Sequence, residues 1–141
     1  MRRKLICLGG WAFSIVYAFL VFRAWDLIER PSVLIGAPLM CALSLPLSIL
    51  CIYLERIGVK RLAIYLGVDL LPVVSWGLLA LGAYIMNSYF GADLFLSLGA
   101  LITGGGSALV GLCLGSISFV TVMIYNKMSG GKNESSTDKS K

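Results

Sequence analysis

Long uncharged stretches dominate the chain and are separated by short segments that carry its charges. The four uncharged runs cover residues 5–22, 31–54, 70–92 and 94–126. About 18 or more consecutive apolar residues are enough for an α-helix to cross the hydrocarbon of a bilayer. The shorter segments of alternating polarity that a β-barrel needs do not occur. The pattern therefore predicts an all-α integral membrane protein whose four helices form a compact bundle. We place the spans at about 5–23, 32–54, 62–86 and 104–125.

Composition supports this fold class and excludes a soluble one. Of the 141 residues, 58% are apolar and 13% are charged, whereas an average soluble domain is about 25% charged. So few polar side chains cannot cover a surface that faces water. The same hydrophobicity excludes a disordered chain.

The Lys and Arg residues are divided unequally between the two sides that four spans create. Ten lie before the first span, between the second and third, or in the tail. Only Arg23 and Arg30 lie on the other side. Because cytoplasmic loops are rich in Lys and Arg, both termini are predicted to be cytoplasmic. With no targeting signal recognisable, we expect a bacterial inner membrane.

The last uncharged run is too long for one straight span, and two arrangements fit it. In the first, Gly104–Gly106 breaks the helix, because each glycine weakens a helix by about 1 kcal/mol. A short helix at 94–103, capped by Asp93, then lies at the outer interface. In the second, one long tilted helix extends beyond the bilayer. The polar residues 126–141 are predicted to be a disordered cytoplasmic tail that follows the membrane domain 1–125.

Three prolines lie inside predicted spans. Pro38 and Pro46 fall in the second span and Pro72 in the third. Each removes a backbone hydrogen bond and can kink its helix, which membrane helices tolerate. We interpret them as sources of curvature.

Two helix faces carry small residues at a spacing of four. Small residues let helix backbones approach closely in lipid. We therefore expect these faces to form the tightest contact, more often within the bundle than in a dimer. The residues are Gly10, Ser14 and Ala18 on the first helix, and Ser107, Gly111 and Gly115 on the fourth.

Asp69 is the one ionisable acid or base well inside a predicted span. A charged Asp at the bilayer centre costs about 3 kcal/mol on insertion scales, so such residues usually face the bundle interior. Two interpretations are open: a carboxylate coupled to protons or cations, or a structural hydrogen bond that sets the rotation of the third helix. The hydroxyl groups predicted to lie at its depth are those of Ser14, Ser48, Ser118 and Thr121.

The outer loop carries four charges at spacings of three and four. Three interpretations are open. The charges can form ion pairs that extend the first helix, they can form a solvated charged face, or they can form a surface that a partner recognises. The residues are Arg23, Asp26, Glu29 and Arg30.

The side chains that catalysis needs are scarce. The chain has no His, and its four Cys residues form no Cys-x-x-Cys pair. We therefore predict no enzyme activity, no metal, no cofactor and no nucleic-acid partner. The cysteines are interpreted as small packing residues. They are Cys7, Cys41, Cys51 and Cys113.

Two classes of function fit these observations. The first is a small non-enzymatic protein that binds another membrane protein through its helices or loops, as an accessory subunit, a regulator or an immunity-type protein. The second is a small proton- or cation-coupled transporter or channel subunit that uses Asp69 and acts as an oligomer. In both, the expected partners are the lipid bilayer and either another membrane protein or a second copy of the chain.

Overall fold

The computed structural model describes residues 1–29, 32–91 and 94–134, and every regular element in these ranges is helical. A π-helical turn at Leu66–Leu70 joins α4 to α5. The six α-helices are α1 (Arg2–Leu27), α2 (Val33–Leu43), α3 (Leu45–Arg56), α4 (Arg61–Tyr65), α5 (Leu71–Phe90) and α6 (Leu94–Glu134).

These elements form four helical units, each long and apolar enough to cross a membrane. The units are α1, the pair α2–α3, the run from α4 to α5, and the Ser97–Gly131 part of α6. The all-helical class and the number of predicted spans are confirmed at this level. The first, third and fourth units extend beyond their predicted bounds at both ends, and the second does so only at its C-terminal end, because hydropathy locates the apolar core of a helix better than its ends.

The four units run alternately up and down. At one end, Gly10 lies against Leu54, and Asn126 donates a hydrogen bond to Glu55. At the other, Phe22 lies against Gly106. We call the first the basic end, which holds the starts of α1 and α4 and the ends of α3 and α6. The opposite one is the far end.

Pro46 breaks the second unit. Helix α2 ends at Leu43 and α3 begins at Leu45, so Pro46 occupies the first turn of a new helix. Proline has no N–H to give to the carbonyl four residues earlier, and its ring clashes with that carbonyl. Pro38, in contrast, lies inside α2 without ending it.

The turn from α3 to α4 depends on a glycine. Gly58 has φ +92, a left-handed conformation that costs glycine little. The Gly58 N–H donates to the Glu55 carbonyl over 3.0 Å, and the Val59 N–H donates to the Leu54 carbonyl over 3.2 Å. These two bonds form a Schellman motif, which satisfies the last carbonyls of α3 and sends the chain back into the bundle.

The π-helical turn lies directly before Pro72. Because Pro72 cannot donate to the Val68 carbonyl, the preceding turn widens, which is a common source of helix distortion. Gly67, Val68 and Asp69 of this turn are all buried. The sequence indicated a kink here but not a π-helix.

The predicted break at Gly104–Gly106 does not occur, because α6 passes through these glycines as one continuous helix. A Cβ on Gly104 would lie 2.7 Å from Trp76 Cδ1, and one on Gly106 would overlap the Phe22 ring. The glycines thus make room for aromatic rings on α5 and α1. The separate helix at 94–103 is replaced by the other arrangement, a single long helix.

Helix α6 also continues past residue 126, where we expected the tail to begin. It ends at Glu134, about 12 Å further along the helix axis at 1.5 Å per residue. Residues 135–141 of the predicted tail lie outside the described residues.

The outside of the bundle is apolar, unlike the surface of a soluble protein, and the mostly apolar interior also holds a few polar side chains. Five of the polar side chains that the structure describes are buried, and many large apolar side chains point outward. Leu8 is 66% exposed and Leu78 is also 66% exposed. The buried polar residues are Ser14, Ser44, Ser48, Asp69 and Ser118.

Candidate functional site

Asp69 belongs to the π-helical turn and points into the bundle, against a glycine of α6. The residue is 1% exposed, and a Cβ built on Gly115 would lie 2.9 Å from the Asp69 Cγ. Ser116 Oγ donates to Oδ2 over 3.5 Å, while Oδ1 has no hydrogen-bond partner among the described residues. Because only glycine lets α6 come this close, Asp69 and Gly115 define how the third and fourth units meet.

The four hydroxyl groups predicted to surround Asp69 are bonded elsewhere. Each hydroxyl group donates to a backbone carbonyl. In the described structure, none of the four forms a hydrogen bond with Asp69. The π-helical turn changes the direction in which Asp69 points, so the partner is Ser116, which the predicted set omitted. The acceptors are the carbonyls of Trp11 and Gly67 for Ser14, of Ser44 for Ser48, of Ser44 and Leu114 for Ser118, and of Ile117 for Thr121.

Trp11 and Gly67 form a second close contact near this carboxyl group. A Cβ on Gly67 would overlap the Trp11 indole. Among the buried side-chain nitrogen and oxygen atoms in the described part of the chain, two have no hydrogen-bond partner. They are Trp11 Nε1 and Asp69 Oδ1. An unpaired buried polar atom costs free energy, so this region depends on close packing rather than on a complete hydrogen-bond network.

The two small-residue faces are divided among several contacts. Gly111 lies against Ala18 of α1, where a Cβ would be 3.3 Å from the Ala18 Cβ, and against Pro72 at 2.8 Å. Gly10 instead faces Leu54 of α3 at 3.4 Å. Ser107 donates to the Thr103 carbonyl of its own helix. Ala18 and Gly111 therefore meet between α1 and α6, whereas Gly115 lies against Asp69 of the third unit.

Hydroxyl groups from two neighbouring helices converge on the break at Ser44. Tyr17 of α1 donates to the Leu43 carbonyl over 2.5 Å, and Ser118 of α6 donates to the Ser44 carbonyl over 3.1 Å. The Ser44 carbonyl also accepts from the Ser48 N–H and from Ser48 Oγ, each over 2.9 Å, so the Ser118 bond links two helices at a carbonyl that is already satisfied. Pro46 and Ser118 were both visible in the sequence, but the role of Tyr17 was not predicted.

A groove of about 660 Å³ opens on the side of the bundle between α1, α5 and α6. Two serines that line it, Ser75 and Ser107, donate to carbonyls of their own helices over 2.8 Å. The groove therefore presents mainly an apolar surface of small and aromatic residues. Its walls include Ala18, Phe19, Pro72, Trp76, Ala100 and Gly104.

The predicted outer loop is only partly described. Arg23 and Asp26 belong to α1, which ends at Leu27, and Glu29 follows in a left-handed conformation with φ 46. All three are exposed, and no ion pair joins them in the described residues. Arg30 lies outside the described residues.

The four cysteines are free thiols on separate parts of the bundle. Cys51 is buried in the core cluster with Leu47 and Leu114, whereas Cys41 and Cys113 are exposed and Cys7 is half-buried. Among residues 1–29, 32–91 and 94–134, no three Cys, Asp or Glu side chains come close enough together to hold a metal ion.

Known proteins provide no match to this chain: no protein-family model, no curated protein and no solved structure matches it.

Proposed function

We propose that the chain is an integral membrane protein whose four helical units span the bilayer of a bacterial inner membrane, with both termini in the cytoplasm. The apolar outer surface of the bundle supports insertion, because outward side chains such as Leu8 and Leu78 favour lipid. The excess of Lys and Arg at the basic end supports its cytoplasmic location.

Within this membrane, the protein binds another membrane protein and has no enzymatic activity of its own. The observation that carries this proposal is the groove between α1, α5 and α6. Helices associate in lipid through close packing, which small residues such as Ala18, Ala100 and Gly104 permit. A transmembrane helix of a partner is the occupant that such a groove accepts, as an accessory subunit or regulator would require.

Photo-crosslinking in native membranes tests this function. A photoreactive side chain at Gly99, which lines the groove and is exposed, is expected to give one dominant protein adduct. Ala100→Trp fills the groove and is expected to reduce that adduct at least tenfold. Ala24→Trp, an exposed position of α1 on the side opposite Ile15 and outside the groove, is the matched control and is expected to leave the adduct unchanged. Absence of any adduct, or equal loss in both variants, contradicts the proposal.

A second candidate is a proton- or cation-coupled transporter or channel subunit. The unpaired Asp69 Oδ1 favours it, because a buried acid without a full set of partners is a typical functional residue in membranes. Asp69→Asn is then expected to abolish a pH-dependent flux in vesicles while expression stays normal. Ser116→Ala keeps the carboxyl group and is expected to retain the flux. An unchanged flux in Asp69→Asn eliminates this candidate.

A further inference from the structure

We propose that the basic end binds the headgroups of anionic phospholipids. This rests on the proposed membrane insertion and orientation, and it adds a ligand that is independent of the groove and its partner. The carrying observation is a set of exposed cations at one depth, contributed by different helices, beside Glu55, whose two carboxylate oxygens already have partners in the described structure.

The depth of these cations follows from the packing of α1 on the third unit. Trp11 lies against Gly67, and the two helices run in the same direction. Lys4 is seven residues before Trp11, and Lys60 is seven residues before Gly67. Since the rise per residue is the same, Lys4 and Lys60 lie at about the same level.

The remaining helices bring further cations to this level. Glu55 contacts both Arg61 and Asn126, so the end of α3, the start of α4 and the adjacent part of α6 meet at one depth. Arg56 and Lys127 are the next residues along α3 and α6, and both are exposed. Lys4 and Lys60 are exposed as well.

The acid at this end does not neutralise these four cations. Arg61 Nε donates to Glu55 Oε1, and Asn126 Nδ2 donates to Oε2 over 2.8 Å. Both carboxylate oxygens therefore have partners. In the part of the chain that the structure describes, Lys4, Arg56, Lys60 and Lys127 form no ion pair with any acid, and their charges face outward for an external anion.

Exposed tyrosines at the same end match the headgroup region. Tyr53 and Tyr125 lie within three residues of Arg56 and Lys127 and are 51% and 47% exposed. Tyr65, the last residue of the short helix α4, lies one helical turn further from this end and is 38% exposed. Tyrosine rings favour the membrane–water interface. Cations at the level of an interfacial aromatic belt are placed to contact lipid phosphates, for which Lys and Arg provide the complementary charge.

The far end lacks this arrangement. There Arg23 is accompanied by Asp26 and Glu29, all exposed, so the described charges do not add up to a positive surface. The contrast supplies a control residue, because Arg23 is a cation of the same chain at the opposite end.

The test measures which lipids stay with the protein. The full-length chain is reconstituted in equal amounts of phosphatidylcholine and phosphatidylglycerol and extracted in mild detergent. Mass spectrometry then gives the ratio of the two retained lipids. The wild type is expected to retain an excess of phosphatidylglycerol, and this excess is expected to decline as the salt concentration is raised. The reason is that the Debye screening length falls from about 30 Å at 0.01 M salt to about 3 Å at 1 M.

Three variants locate the effect. The first variant replaces four cations by glutamine: Lys4→Gln, Arg56→Gln, Lys60→Gln and Lys127→Gln. It is expected to lower the preference for phosphatidylglycerol by a factor of at least about five, which is the contribution of one Lys or Arg near an anionic surface. Replacing the three lysines by Arg keeps the charge and is expected to keep the preference. Arg23→Gln is expected to change nothing.

The outcomes separate this proposal from the proposed function. Carbonate extraction is measured first, and release of the wild type from membranes overturns insertion and the lipid site together. If the wild type stays in the membrane but retains the two lipids equally, only the lipid site is overturned. Equal losses in the glutamine variant and in Arg23→Gln also overturn it, since attraction is then not specific to the basic end.

Discussion

At the scale of single residues, Gly115 is a position where one added methyl group is expected to destabilise the bundle. In Gly115→Ala the new Cβ would overlap the Asp69 carboxylate, whose Cγ would lie 2.9 Å away. We expect a loss of about 1–3 kcal/mol in the free energy of unfolding, the usual cost of overpacking. Equilibrium unfolding in mixed micelles measures this change.

Gly77→Ala is the matched control for that substitution. A Cβ on Gly77 would meet nothing within 4 Å, so the variant is expected to be neutral or to gain up to about 1 kcal/mol from helix propensity. Equal destabilisation in Gly77→Ala and Gly115→Ala would show that the Asp69 contact is not what makes Gly115 sensitive.

Asp69 shows which part of the candidate site could be predicted from the sequence and which part could not. The sequence identified Asp69 as the acid inside a span, because its charge interrupts an apolar segment. Its partner could not be predicted, because the π-helical turn at Leu66–Leu70 changes the direction of Asp69 relative to a regular helix. Asp69 accepts a hydrogen bond from Ser116, which was not among the four hydroxyl groups predicted to surround it.

At the scale of helices, the break at Ser44 is expected to depend on its two donors. Tyr17→Phe and Ser118→Ala each remove a hydrogen bond to a carbonyl at the break. Each is expected to cost about 0.6 kcal/mol, with a maximum of about 1.7 kcal/mol, as interhelical hydrogen bonds in membranes do. The same unfolding equilibrium measures both variants.

Ser75→Ala tests whether those losses come from contacts between helices. Ser75 donates to the Leu71 carbonyl of its own helix, so its removal is expected to change stability less than either variant at the break. A larger loss in Ser75→Ala than in Tyr17→Phe would contradict the role assigned to the break.

The helices themselves could be predicted, whereas their irregularities could not. Length and hydropathy are properties of whole segments, so the four units follow directly from the uncharged runs. The sequence left both a break at the triple glycine and one long helix open, because helix propensity favours the break and the packing partners of the glycines were not known. In apolar surroundings each unpaired backbone group costs several kcal/mol, and Trp76 and Phe22 occupy the space that Gly104 and Gly106 leave. Both effects favour a continuous α6.

At the scale of the whole molecule, the proposed topology makes a prediction about the two chain ends. Reporter fusions after Met1 and after Lys141 are both expected to report a cytoplasmic location, and a fusion within the loop after Leu27 an external one. The reason is the distribution of Lys and Arg, ten on one side and two on the other. Chain ends on opposite faces would contradict the up-and-down arrangement of four spans.

The break at Ser44 has a consequence for how the protein is made. Its carbonyls lie in the second unit, but one donor, Ser118, lies in the last. A ribosome makes the second unit long before it makes Ser118. The Ser48 N–H and hydroxyl group already donate to the Ser44 carbonyl within the second unit, so the bend is bonded as it forms. Ser118 later attaches the C-terminal helix to a carbonyl that is already in place.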